Sequence, residues 1–84
     1  MIEQNDNIQM LHYITNGVIE RNNLDQNRKL RTLLIDAVYE IKGAMLDGIE
    51  QNDLPGFLQA VRGSGKYDLV MKYLDEVEEQ LMLF

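Results

Sequence analysis

Apolar residues recur at three- and four-residue steps along most of this chain, the spacing of helices that each bury one face. Ile8, Leu11, Ile14, Val18 and Ile19 predict a first helix from about residue 7 to residue 21. Asn5 or Asp6 would cap it, because a side-chain oxygen accepts bonds from the free N–H groups of the first turn. Asn22 and Asn23 close it. The longest pattern follows: Leu30, Leu33, Leu34, Ala37, Val38, Ile41, Ala44, Met45 and Ile49 hold helical register from about residue 26 to residue 51, with Asp25 as cap. At about 1.5 Å per residue such a helix is roughly 35 to 40 Å long. Gly43 and Gly48 inside it each cost roughly 1 kcal/mol relative to alanine. Their presence predicts another helix crossing closely near Ala44.

Asn52 and Asp53 interrupt the pattern, and Pro55 suits a first helical turn, where its missing N–H costs nothing. Phe57, Leu58 and Val61 then predict a short third helix, ended by Gly63-Ser64-Gly65. The fourth helix is expected from about residue 66 to the last residue, with Val70, Tyr73, Leu74, Val77, Leu81 and Phe84 on one face. Lys72, Asp75, Glu76 and Glu79 occupy the other. The 70, 74, 77, 81, 84 series is a short heptad-like seam. No alternating β-branched run predicts a strand. The fold class is all-α: one domain over residues 1–84, a small bundle of about four helices, two long, one N-terminal and one short, antiparallel where connections are short.

Composition sharpens this in two ways. With 45% hydrophobic and 26% charged residues and a single proline, the chain has the makeup of a folded domain. At 84 residues its core is small, so partner binding or self-association is a natural source of extra stability. There is no cysteine, the first ten residues lack the features of a secretion signal, and no apolar run is long enough to span a bilayer, so the expected location is the cytoplasm, with no membrane contact.

The net charge of −6 argues against nucleic acid and anionic membranes as partners. Yet Arg21, Arg28, Lys29 and Arg31 make up half of the basic residues and form a candidate anion-binding group. They crowd the start of the long helix, where the dipole disfavours cations. Asp75, Glu76, Glu78 and Glu79 on the last helix can complement them without any ligand.

Catalytic chemistry is poorly supplied. His12 is the only histidine and Ser64 the only serine, so no metal site, cofactor or nucleophilic constellation is expected and the chain reads as non-enzymatic. Asp36 with Glu40, and Asp47 with Glu50, stand one turn apart but read best as solvated pairs. The stretch from Ala60 to Tyr67 resembles the phosphate-binding loop of P-loop nucleotidases, but Tyr67 stands where the magnesium-binding hydroxyl belongs and no strand precedes it. A glycine-rich helix connector is the better reading.

The chain ends Gln80-Leu81-Met82-Leu83-Phe84. This resembles the peptide, read Gln-Leu-x-Leu-Phe, by which bacterial polymerases, repair proteins and replication regulators dock on the sliding clamp. The resemblance implies a docking tail at 80–84, with Gln80 as polar anchor and Leu81, Leu83 and Phe84 as apolar plugs. Such peptides bind extended, whereas the seam wants Leu81 and Phe84 helical. Three functional readings follow. The first is a protein-binding adaptor or inhibitor, with a bacterial sliding clamp as candidate partner; its size and acidity resemble host-directed inhibitors of bacteriophages. The second is a homo-oligomer that pairs through Val70, Leu74 and Val77. The third is a nucleic-acid accessory protein using the basic group at 21–31.

Overall fold

Four helices carry the chain, as the spacing predicts: α1 (Ile2–Arg21), α2 (Arg28–Leu46), α3 (Leu54–Gly63) and α4 (Met71–Leu83). The structure, a computed structural model, describes the backbone of residues 2–83 and the side chains of residues 7–50 and 52–83. Among the described residues there is no strand, and the connections tighten into 3-10 turns at Leu24–Gln26, Gln51–Asp53 and Asp68–Val70. The 35 Å long axis is set by α1, whose 20 residues rise about 30 Å.

The core is a single cluster in which each helix contributes its apolar stripe. Leu11, Ile14 and Val18 come from α1, Leu34, Val38 and Ile41 from α2, Leu58 and Val61 from α3, and Leu74, Val77 and Leu81 from α4. Helix α4 lies on both α1 and α2, and α3 packs beside α4. The buried hydroxyl of Thr15 donates to the Leu11 carbonyl at 2.7 Å, so this polar group carries no desolvation penalty. Val70, Leu74 and Val77 are fully buried in this core. The seam offered above for self-association is therefore the chain's own interior, and a second copy could reach it only by unfolding this one.

The element ends differ from the expected ones for identifiable reasons. Helix α1 starts at Ile2, so Asn5 and Asp6 lie inside it and neither is its cap. It ends as expected: the Asn22 amide nitrogen donates to the Val18 carbonyl at 2.8 Å, and Asn23 turns left-handed at φ 57°, a conformation asparagine tolerates. Helix α2 is capped by Asn27, not Asp25, because the Asn27 side chain accepts from the Leu30 N–H at 3.2 Å while Asp25 turns to Arg31 at 3.2 Å. It stops at Leu46 because Gly48 adopts φ 90°. The Ile49 N–H then donates to the Ala44 carbonyl at 3.0 Å and the Gly48 N–H to the Met45 carbonyl at 3.1 Å, the paired bonds of a Schellman cap. Helix α4 starts late because Gly65, at φ 75°, turns the chain so that Tyr67 enters the core ahead of the 3-10 turn.

The close helix crossing predicted at Gly43 and Gly48 is absent. A Cβ placed on either would meet nothing within 4 Å. Gly48 is required by its backbone angle, but Gly43 has ordinary helical geometry and open space around it. The two glycines should thus respond oppositely to alanine. Gly48→Ala is expected to lower stability by about 1–2 kcal/mol, the strain of a Cβ in the left-handed region, whereas Gly43→Ala should raise it by up to about 1 kcal/mol. Urea denaturation monitored by circular dichroism checks both. A destabilising Gly43→Ala would mean that a neighbour does approach that position.

Candidate interaction surfaces

The last turn of α4 splits the terminal motif. Leu81 is 8% exposed and belongs to the core, Gln80 is half-buried, and Met82 and Leu83 are 40% and 78% exposed. The helix runs through Leu83, so these residues are helical rather than extended. Phe84 lies outside the described residues. Of the described residues matched to the docking peptide, Leu83 is the one that presents a large apolar side chain to solvent, with Gln80 partly accessible beside it.

The basic group does not assemble into one patch. Arg21 reaches across to α4, where its Nη2 donates to Glu76 Oε2 at 2.6 Å and its Nε to the same oxygen at 3.1 Å, while the Asn22 side chain donates to Glu76 Oε1 at 3.3 Å. Arg31 pairs locally with Asp25. Arg28 and Lys29 stand exposed on the first turn of α2, with no ion pair among the described residues. The acidic face of α4 is consumed in part by Arg62, which donates to Asp75 at 2.7 Å and also bonds Glu78. These exposed pairs contribute about 0.2–1 kcal/mol each. They orient α4 on α1 and α3 more than they hold it there.

The glycine-rich stretch after α3 is a connector whose polar groups are already used. The Ser64 hydroxyl donates to the Val61 carbonyl at 2.7 Å and accepts from the Lys66 N–H at 3.2 Å. Tyr67, at 1% exposure, buries its ring and donates its phenol to Glu40 on α2, with Lys66 Nζ 3.9 Å from the same carboxylate. This bond fixes the start of α4 to the middle of α2. His12 is half-buried on α1, and no group of three or more metal-ligating side chains occurs among the described residues. No helix among them is long and apolar enough to cross a membrane.

No protein-family model, curated protein or solved structure matches this chain. The chemistry of its surfaces is therefore what bears on function.

One surface escaped the sequence reading. An open groove of about 550 Å³ lies where the end of α2, the turn after it and α3 meet. Ala44, Ile49 and Phe57 supply apolar walls, Gly43 and Gly48 leave the space unfilled, and the carboxylates of Glu40 and Asp47 stand at its edge. Its signal in the sequence is Gly43 and Asp47 one turn apart near a helix end, each a poor choice for that helix on its own terms.

The Tyr67 phenol provides a check on the anchoring of α4. Burial, the hydrogen bond to Glu40 and the negative charges of Glu40 and Asp36 push its pKa from 10.0 up to about 12. Between those values the unfolded chain releases the proton and the folded chain keeps it, so stability falls as pH rises through that window, by at most about 1.4 kcal/mol per pH unit. Below pH 10 the contribution is constant. Tyr67→Phe should lose stability at neutral pH and lose this alkaline slope relative to the parent. Denaturation midpoints compared across the window measure it, and parallel pH curves would contradict the phenol–carboxylate anchor.

Proposed function

We propose that this chain is a non-enzymatic protein-interaction module, an adaptor or inhibitor in the cytoplasm, and that its partner is a bacterial sliding clamp engaged through residues 80–84. The observation that carries the reading is the 78% exposure of Leu83 on a helix turn whose neighbour Leu81 is core. Gln80 and Leu83 match the docking peptide and lie outside the buried core, which leaves them free to serve a partner. Occupying the clamp cleft would exclude other proteins that use the same peptide, which is how a chain without catalytic groups can regulate.

The extended form of the docking peptide sets a condition. The last turn of α4 must unwind and Leu81 must leave the core, uncovering a side chain whose burial contributes about 1.5–3 kcal/mol. That loss is recovered when Leu81 enters the clamp cleft. Helix ends open at low free-energy cost because their last carbonyls have no intrahelical partner. The intact chain should therefore bind more weakly than a free peptide of residues 76–84, by roughly ten- to 150-fold for an opening cost of about 1.5–3 kcal/mol.

Titration of a purified bacterial clamp by anisotropy tests this. The full chain is expected to bind and to compete with a known docking peptide. The double substitution Gln80→Ala with Leu83→Ala, at positions outside the buried core, should keep the circular dichroism spectrum and weaken binding at least about tenfold. No binding by the full chain, or equal binding by the folded double variant, would refute the proposal.

A further inference from the structure

We propose that the groove between α2 and α3 is a docking site for an amphipathic helix of a partner protein, one that seats an aliphatic or aromatic side chain against Ile49 and Phe57 and brings lysine or arginine to Asp47 and Glu40. The site is separate from the last turn of α4 and does not rest on the clamp reading.

Two residues of the groove make sense only with an occupant. Gly43 weakens α2, and nothing in the chain needs it: its backbone is helical and an added Cβ would stand in open space. A partner helix lying in the groove does need it, because a missing side chain lets a second backbone come close. Asp47 caps the C-terminal end of α2, where the helix dipole is negative, and α2 has no basic residue in its last turn. Asp47 has no ion pair among the described residues. A cation from outside would relieve that repulsion. Residues that cost stability without an internal return mark functional surfaces.

The chemistry of the occupant follows from the same observations. Apolar walls beside carboxylates fit a side chain flanked by cations: Asp47 has no ion pair among the described residues, while Glu40 gives Oε2 to the Tyr67 phenol, with Lys66 3.9 Å from the same oxygen, and makes no bond through Oε1 among them. A second copy is disfavoured, because each carries a net charge of −6. The groove is open to solvent, which suits a helix better than a small molecule that must be largely enclosed. With no strand among the described residues there is no sheet edge to extend, and the open glycine on the α2 face admits the close approach of a partner helix.

The test uses the isotope-labelled full chain and three synthetic helical peptides: leucine and phenylalanine anchors flanked by lysine, the same anchors flanked by glutamate, and the lysine version with alanine anchors. The first should give saturable amide shifts centred on Gly43, Gly48, Ile49 and Phe57; the other two should not. Gly43→Leu should reduce affinity at least about tenfold, and Asp47→Asn should weaken it several-fold and flatten its salt dependence. Leu83→Ala should bind as the parent does, which separates this site from the clamp proposal. If Gly43→Leu fails to fold, Gly43→Ala takes its place, with a higher melting temperature and weaker binding expected. The proposal is overturned if the lysine peptide gives no saturable shifts, if they centre elsewhere, or if the glutamate peptide binds equally. It also fails if folded groove variants bind unchanged, or if the same amides shift with protein concentration alone, since a second copy would then be the occupant.

Discussion

The burial of α4 against α1 and α2 is the contact on which the rest of this fold depends. Without Leu74, Val77 and Leu81, the stripes of α1 and α2 would face solvent along one side, and a two-helix pair of this length buries too little to be stable. The chain fixes α4 in stages. Gly65 turns it, Tyr67 anchors its approach through Glu40, and Glu76 and Glu78 bond to Arg21 and Arg62 on either side. The apolar contacts supply the stabilisation and the polar ones fix the alignment, since exposed ion pairs contribute little.

That arrangement answers the question raised by the seam of residues 70 to 84. A heptad-like stripe on a short chain is equally consistent with a core and with an oligomer interface, because both require the same spacing. The full burial of Val70, Leu74 and Val77 within one copy assigns them to the core. Among the described residues the stripe ends at Leu81, and Leu83, which lies outside it, faces solvent.

How much was legible follows from the range of each interaction. Helix number, order and buried faces came through because a 3.6-residue period is written locally in the sequence. The C-terminal ends of α1 and α3 came through on Asn22-Asn23 and Gly63, but both ends of α2 did not, because they depend on competition between neighbours: Asn27 caps α2 because Arg31 holds Asp25, and Gly48 ends it through a backbone angle that no apolar spacing reveals. The exposure of Leu83 could be suspected from its place outside the seam. The groove left only a local mark in the sequence, Gly43 and Asp47 near the end of α2, since its walls join Gly43 to Phe57 across a turn whose path the sequence leaves open. Gly43 weakens α2 as its place in a helix interior predicts, but the space it leaves is not filled by this chain.

The apolar stripe of α4 is core through Leu81 in the folded chain, and the proposed docking requires the turn from Gln80 onward to open. Native-state hydrogen exchange of the α4 amides measures this directly. Leu74 and Val77 should exchange only through global unfolding, with protection that tracks overall stability and responds to denaturant. Leu81, Met82 and Leu83 should exchange faster, through local opening insensitive to denaturant. Protection at residues 81–83 equal to that at Leu74 would contradict the account, because the last turn would then be as fixed as the core.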